Sequence, residues 1–312
     1  MSSPVQRAWK DAPDSAGSQS EAVQGYSDTT RCAKGWNCRR PWDPLRPMLM
    51  GEAALNATLE TRNDRSDRYA LLRIRPDRLP IPPFTPGQFV QLGLPRPGER
   101  HPPGGAGPIR IAKRSYSIAS SAHDREGYEL FVTLVIEGRL TPELWRLEPG
   151  ARCWIGDRAL GSFTLDSVPE GKDVVLVATG SGIAPYVSMV RTYGDAPRWN
   201  RLAIVHGVRS PGDLGYREEL EARERIDPAF RYLPVVSRET EGWPGLRGRV
   251  QAALEGDRFR ELARWPLDPA SAHVLLCGNP AMIESVSELL TTQGFRPDSR
   301  ERPGTLHSER YW

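Results

Sequence analysis

The 312-residue sequence is short of cysteine, histidine and lysine, and its apolar runs are brief. Each shortage excludes something. The four cysteines, Cys32, Cys38, Cys153 and Cys277, form no C-x-x-C pair of the kind used by zinc sites, iron–sulfur clusters or thioredoxin-like centres. Reduced thiols are the expected state, with a small loop disulfide or metal site at Cys32 and Cys38 as the alternative. The five histidines also fall outside any metal-ligand spacing, so no metal is expected. Stretches such as "DVVLVATG" and "AHVLLCG" fall far short of the roughly 20 residues a spanning helix requires, and read as buried strands. The N-terminus "MSSPVQRAWKDAPDS" has no apolar h-region, and Asp11, Asp14 and Glu21 speak against a transit peptide, so a cytoplasmic location is expected. A net charge of +3 is too small to imply nucleic acid. Of the 42 basic residues 38 are arginine, a bias that fits codon usage better than function.

What remains is an ordinary globular composition, 38% hydrophobic and 26% charged, in a chain long enough for two cores. Residues 1–50 show no period of 2 or 3.6 and read as a poorly ordered extension. Residues 51–167 carry short alternating runs, "ALNATLETRN", "RYALLRIRP", "GQFVQLGL", "KRSYSIASS", "YELFVTLVI", "ARCWIG" and "GSFTL", separated by turn residues. These predict a small antiparallel β-barrel. The segment "RHPPGGAGPIRIA" reads as a loop between its strands. Residues 168–312 alternate apolar strands ("DVVLVAT", "LAIVHGV", "RYLPVVS", "HVLLCGN") with helical segments ("APYVSMVRTY", "YREELEARERI", "PAMIESVSELLTTQ"). That rhythm predicts βαβ units on a parallel sheet. The cleft between two such domains is the natural ligand site.

In the α/β half, "DVVLVAT" runs straight into Gly180-Ser181-Gly182 and then a helix. Glycines let backbone amides approach a ligand, and a helix N-terminus favours phosphate; a tight turn with no ligand is the alternative. Pro185 stands where the G-x-G-x-x-G fingerprint has its third glycine, which argues against an ordinary Rossmann dehydrogenase. The next strand ends in "VHGVRS", with Arg209 where an NAD site would place an acid. Ser237-Arg238 and Arg249 lie near other strand ends. Arginines gathered at the carboxyl edge of a parallel sheet suggest a 2′-phosphate and hence NADP, although each singly reads as solvated surface. In "CGNPAM", Asn279 is the expected cap of a helix with Pro280 at its first position, and Cys277 reads by default as buried packing.

In the barrel half, "KRSYSIASS" offers Arg114 for phosphate, Tyr116 for stacking and Ser117 for hydrogen bonding. "EGRLTPELWRL" reads as a turn and short helix with Thr141 as N-cap and Pro142 at the first position, next to Arg139. Such a helix start could hold a pyrophosphate, while capping alone also explains it.

In order along the chain, "PFTPGQFVQLGL", "RSYS", "EGRLTPEL", "LVATGSGIAPYVS", "VHGVR", "VVSRE", "GRV", "LCGNPAM" and the terminal "RYW" resemble bacterial ferredoxin/flavodoxin-NADP reductases, over residues 53–312. The resemblance implies an enzyme whose barrel binds FAD and whose α/β domain binds NADP(H). It implies hydride transfer to or from the flavin and single-electron exchange with ferredoxin or flavodoxin. The FAD residues it implies are Arg114, Ser115, Tyr116, Ser117, Phe131, Arg139, Leu140, Thr141, Ser181, Tyr311 and Trp312. Those for NADP are Gly180, Val208, Arg209, Ser237, Arg238, Arg249, Gly278, Asn279 and Pro280. Ser117, Cys277 and Tyr311 are the implied catalytic residues, in the sense of orienting the two rings, and Tyr311 and Trp312 would fold back over the flavin. A monomer without membrane insertion is expected. Residues 51–115 carry 11 Arg and Lys against 6 Asp and Glu, a charge that would attract an acidic carrier. Two alternatives stay open: a reductase component for an oxygenase or small acceptor, and a non-catalytic flavin-binding redox sensor or assembly subunit. The 50-residue leader and the 101–112 insertion depart from the family pattern.

Overall fold

The computed structural model describes residues 55–96, 110–238, 241–299 and 301–310. The expectations for the leader, for residues 101–109 of the insertion and for Tyr311 and Trp312 lie outside them.

Alternation in the first half becomes a closed antiparallel sheet. Its strands are β1 (Ala57–Ser66), β2 (Tyr69–Pro76), β3 (Phe89–Pro95), β4 (Ile111–Ser117), β5 (Tyr128–Thr133) and β6 (Arg152–Ile155), in the order β4-β3-β6-β1-β2-β5. The period-2 pattern is plainest in β2, where Ala70, Leu72 and Ile74 are buried between half-buried neighbours. A bridge from Ile118, just past β4, to Leu130 on β5 joins the two edges and removes the unpaired strand rims. The run "GSFTL" does not become a seventh strand. Leu160 makes one bridge to Phe89, and then Phe163 and Leu165 turn into the core of the other half. Thr164 caps a single 3₁₀ turn at Leu165–Ser167, its Oγ1 accepting from the Asp166 N–H at 3.3 Å. Burial against the second domain outweighs strand pairing at that point.

The second sheet is parallel, in the order β10-β9-β8-β7-β11-β12. Its strands are β7 (Lys172–Thr179), β8 (Trp199–Val208), β9 (Phe230–Val236), β10 (Leu246–Arg247), β11 (Ala272–Gly278) and β12 (Leu306–Arg310). Chain order runs outward from β7 to β10, then returns to β11 on the other side of β7. The direction of progression therefore reverses beside β7, and the crevice above its carboxyl end is where such sheets bind ligands. After a one-turn α1 (Thr141–Leu144) in the barrel half, the helices are α2 (Ala184–Tyr193), α3 (Arg217–Ile226), α4 (Arg258–Ala263) and α5 (Pro280–Thr292). Strands β7 and β11 are buried nearly end to end, as a sheet covered on both faces requires.

Helix α2 fastens the two halves together. Ser188 Oγ donates to the Ser120 carbonyl at 2.7 Å, and the Arg191 guanidinium reaches Glu129 of β5 and Glu219 of α3, each at 2.7 Å. Beside this clamp the Phe131 ring lies 5.3 Å from Tyr69 and 5.5 Å from Tyr216, centroid to centroid. The rings continue the α/β core into the barrel.

Candidate functional site

The site begins where β7 stops. Thr179 leads into a 3₁₀ turn, Gly180–Ile183, and α2 follows with Pro185 in its first turn. A side chain is excluded at Gly182 because a Cβ there would lie 2.3 Å from the Cys277 carbonyl oxygen, so the turn sits directly on the end of β11. His206, fully buried on β8, holds the turn from beneath. Its Nε2 lies 3.0 Å from the Gly180 carbonyl and its Nδ1 3.1 Å from Tyr232 Oη. A carbonyl only accepts, so Nε2 carries the proton and Nδ1 accepts from the tyrosine. Burial lowers the imidazole pKa to about 4, which keeps it neutral in this role.

A cavity of about 780 Å³ opens above this turn. The barrel contributes Arg68, Tyr69 and residues 133–137, and the α/β half contributes Gly180, Ser181, Val208, Arg209, Ser237, Arg238, Arg249 and Asn279. The cleft expected between two domains is thus present, and it gathers eight of the sequence-predicted positions. Thr133 Oγ1 donates to Ser181 Oγ at 2.8 Å across it. Ser237 seals the strand ends below, its Oγ donating to the Val208 carbonyl at 3.0 Å. Asn279 caps α5 as expected, accepting from the Ala281 N–H at 2.8 Å. Beside it Gly278 ends β11 at φ 135°.

Charge at this cavity is one-sided. Among the described residues, none of Arg68, Arg209, Arg238 and Arg249 has a carboxylate within salt-bridge distance, and all four are exposed cavity-lining residues. Elsewhere arginines are held, as in Arg191 with two glutamates, Arg201 with Asp173 and Arg223 with Asp227. Glu137 is the lone carboxylate among the lining residues. Four guanidiniums without a carboxylate partner among the described residues give this opening an electrostatic preference for a negative ligand.

The remaining expected residues sit apart from this cavity. On β4, Arg114 and Ser115 are exposed, Tyr116 is half-buried and Ser117 is buried. Tyr116 Oη is enclosed with no hydrogen-bond partner among the described residues, and burial raises its pKa. Arg139 is exposed and Leu140 buried. Thr141 is not an N-cap: Leu140 holds that position with no side-chain bond. The Thr141 hydroxyl instead closes the preceding loop, accepting from the Val135 N–H at 3.0 Å and donating to the Val135 carbonyl at 2.9 Å. A one-turn helix offers little dipole, and the loop draws its order from that pair of bonds. Phe131, at 3% exposure, lies in the interdomain ring cluster, and Cys277 is fully buried in β11, with Pro280 half-buried at the start of α5.

Glu309 escapes a motif search. It pairs with Cys277 across β11 and β12, is half-buried, and has no hydrogen bond or ion pair among the described residues. Desolvation raises its pKa to about 7. Its one sequence signal is an acid placed three residues before an aromatic terminus.

Comparison with known proteins agrees with this geometry. Residues 176–288 match the family model described as an oxidoreductase NAD-binding domain. The chain is 36% identical over 237 residues to the flavodoxin/ferredoxin–NADP reductase of Escherichia coli (strain K12), covering 75% of this chain and 90% of that one. It is 34% identical over 243 residues to ferredoxin–NADP reductase A of Sorangium cellulosum, covering 75% and 82%. Its fold is similar to that of a ferredoxin NADP+ reductase from Neisseria gonorrhoeae solved with bound FAD and NADP, with TM-score 0.71 and 24% identity over 82% of this chain and 98% of that one.

Proposed function

The chain belongs to the flavodoxin/ferredoxin–NADP reductase family, and from that premise we propose an FAD-dependent enzyme that exchanges a hydride with NADP(H) and single electrons with a ferredoxin or flavodoxin. The observation that carries the nucleotide half is the ring of unpaired arginines around the glycine turn. Ser237, Arg238 and Arg249 grip the 2′-phosphate, where a fork of donors suits a dianion. Gly180, Val208 and Arg209 border the path inward, and Gly278, Asn279 and Pro280 line its nicotinamide end.

FAD belongs on residues 51–167 and NADP(H) on 168–312. FAD supplies, when bound, the conversion between two-electron and one-electron transfer. The barrel residues fit it: Arg114 and Arg139 are exposed cations, and the enclosed Tyr116 hydroxyl awaits a polar partner. Ser115, Ser117, Phe131, Leu140, Thr141, Ser181, Tyr311 and Trp312 complete the set assigned to FAD. The chain's own task is positioning two rings and excluding water. Glu309, beside Cys277, can hold or release a proton at its carboxyl near neutral pH.

In this reading the protein acts as a cytoplasmic monomer; one chain supplies both halves of the cleft, and no described helix is long and apolar enough to cross a membrane. The test is the rate at which NADPH and NADH reduce the FAD-loaded protein, measured before and after Arg238→Gln. The ratio of the two rates should favour NADPH and fall roughly tenfold in the variant, as expected for losing a charge-assisted contact. A ratio that the substitution leaves unchanged removes the arginines from the account.

A further inference from the structure

We propose that Arg68, carried by the barrel, binds the pyrophosphate of NADP(H), so that the nucleotide is held by both domains at once. This rests on the NADP reading above and assigns a contact that the α/β half alone does not supply.

The backbone around Arg68 is fixed while its side chain is free. Ser66 and Tyr69 face each other across β1 and β2, leaving Asp67 and Arg68 as a two-residue turn. The Arg68 N–H donates to Ser66 Oγ at 3.3 Å, and the Arg68 carbonyl accepts from the Leu134 N–H at 2.7 Å. Ser66 Oγ in turn donates to Asp213 Oδ1 at 2.9 Å, in the loop between β8 and α3. The other carboxylate oxygen of Asp213, itself 4% exposed, accepts from the Ser210 N–H at 3.3 Å, one residue past Arg209. A cross-domain bond therefore ties the hairpin tip to the loop that carries Arg209. No described carboxylate pairs with either guanidinium, and both line the same cavity.

Position in the fold says which part of the nucleotide lies between them. Tyr69, the next residue, stands against the glycine turn so closely that a Cβ on Gly180 would lie 2.6 Å from its hydroxyl. Arg68 and Arg209 line the cavity together with Gly180 and Ser181 of that turn, and the charges of both act on the Tyr69 hydroxyl. Arg209 follows β8, the neighbour of β7, whereas Arg238 follows β9, one strand further out at a spacing of about 4.8 Å per strand. The outer arginines thus serve the 2′-phosphate at the adenosine end. Arg68 and Arg209 share a cavity with the turn that opens α2, where backbone N–H groups favour phosphate, and the group of NADP(H) assigned there is the pyrophosphate. A rigid hairpin presenting one free guanidinium loses little further entropy on binding.

Isothermal titration of the FAD-loaded protein with NADP+ and with adenosine 2′-monophosphate, which lacks the pyrophosphate, separates the two ends. Arg68→Gln should raise the Kd for NADP+ about tenfold and change that for adenosine 2′-monophosphate by less than about twofold, with Arg68→Lys recovering part of the loss. Arg238→Gln should weaken both probes. Equal weakening of both probes by Arg68→Gln would move the contact to the 2′-phosphate and overturn the proposal. No change with Arg68→Gln while Arg238→Gln still acts would make Arg68 solvated surface and leave the NADP reading standing. Failure of the unaltered protein to bind either probe would overturn both.

Discussion

Replacing Glu309 by glutamine should stabilise the protein at pH 8 and change it little at pH 4. The carboxyl has an ordinary value of 4.5, raised to about 7 by desolvation, with no cation or hydrogen bond among the described residues offsetting the cost. The folded protein thus holds this proton more tightly than the unfolded chain does. Its contribution is fully present below the unfolded value and is lost as pH rises through about 7. At 1.36 kcal/mol per pKa unit the penalty above pH 7 approaches about 3 kcal/mol, and partial exposure of the side chain brings it nearer 2. Glutamine keeps the shape without the charge. For a chain of this size the gain at pH 8 corresponds to a Tm higher by roughly 5 °C, shrinking to about 1 °C at pH 5, where the unfolded carboxyl is only partly ionised. Differential scanning calorimetry of the FAD-loaded proteins at both pH values reads this directly. A Tm difference that is the same at pH 5 and pH 8, or that favours the glutamate at pH 8, would refute the reasoning. It would mean that Glu309 finds a cationic partner.

Three further expectations follow from single contacts. Gly182→Ala pushes a Cβ to 2.3 Å from the Cys277 carbonyl, so the glycine turn must lift off β11, and NADP+ affinity should fall more than tenfold by titration. Arg191→Met leaves Glu129 and Glu219 without their shared cation at the domain interface and should cost about 3 kcal/mol in urea unfolding, since breaking a part-buried ion network strands its carboxylates; a loss under about 0.5 kcal/mol would show the clamp to be ornamental. His273 Nδ1 lies 3.0 Å from His307 Nε2, both imidazoles are buried, and burial lowers both, His273 to about 4. Stability they contribute is present above the unfolded value of 6.5 and lost as pH falls from there toward 4, so His273→Gln should flatten the acid side of the stability profile.

The parts of this fold that could be read from sequence were those governed by local rules. Helix α2 spans the residues its apolar pattern and leading proline mark out, and Asn279 caps α5 because its side chain, the following proline and the chain direction agree. The arginines near the strand ends were legible because chain order in a parallel sheet puts those ends at one edge. What was hidden depended on the other domain. "GSFTL" alternates like a strand, yet Phe163 and Leu165 bury more by leaving the barrel. Thr141 has the sequence of a cap and spends its hydroxyl on Val135. Phe131 is expected as a ligand contact, and its packing between Tyr69 and Tyr216 is a further role that no local pattern announces. Arg68 and Glu309 carry no motif and His206 lies in one, "VHGVR", that does not reveal its task, because each acquires its role from a residue more than 20 positions away or from burial. Strand β12 is short and polar and forms because β11 offers it an edge.

Anaerobic stopped-flow reduction of the FAD-loaded protein, followed by mixing with ferredoxin and with flavodoxin, tests this function most directly. NADPH should bleach the flavin rapidly and NADH slowly, and at least one of the two carriers should reoxidise it. Reduction by NADH as fast as by NADPH, or flavin that NADPH leaves oxidised, would contradict it.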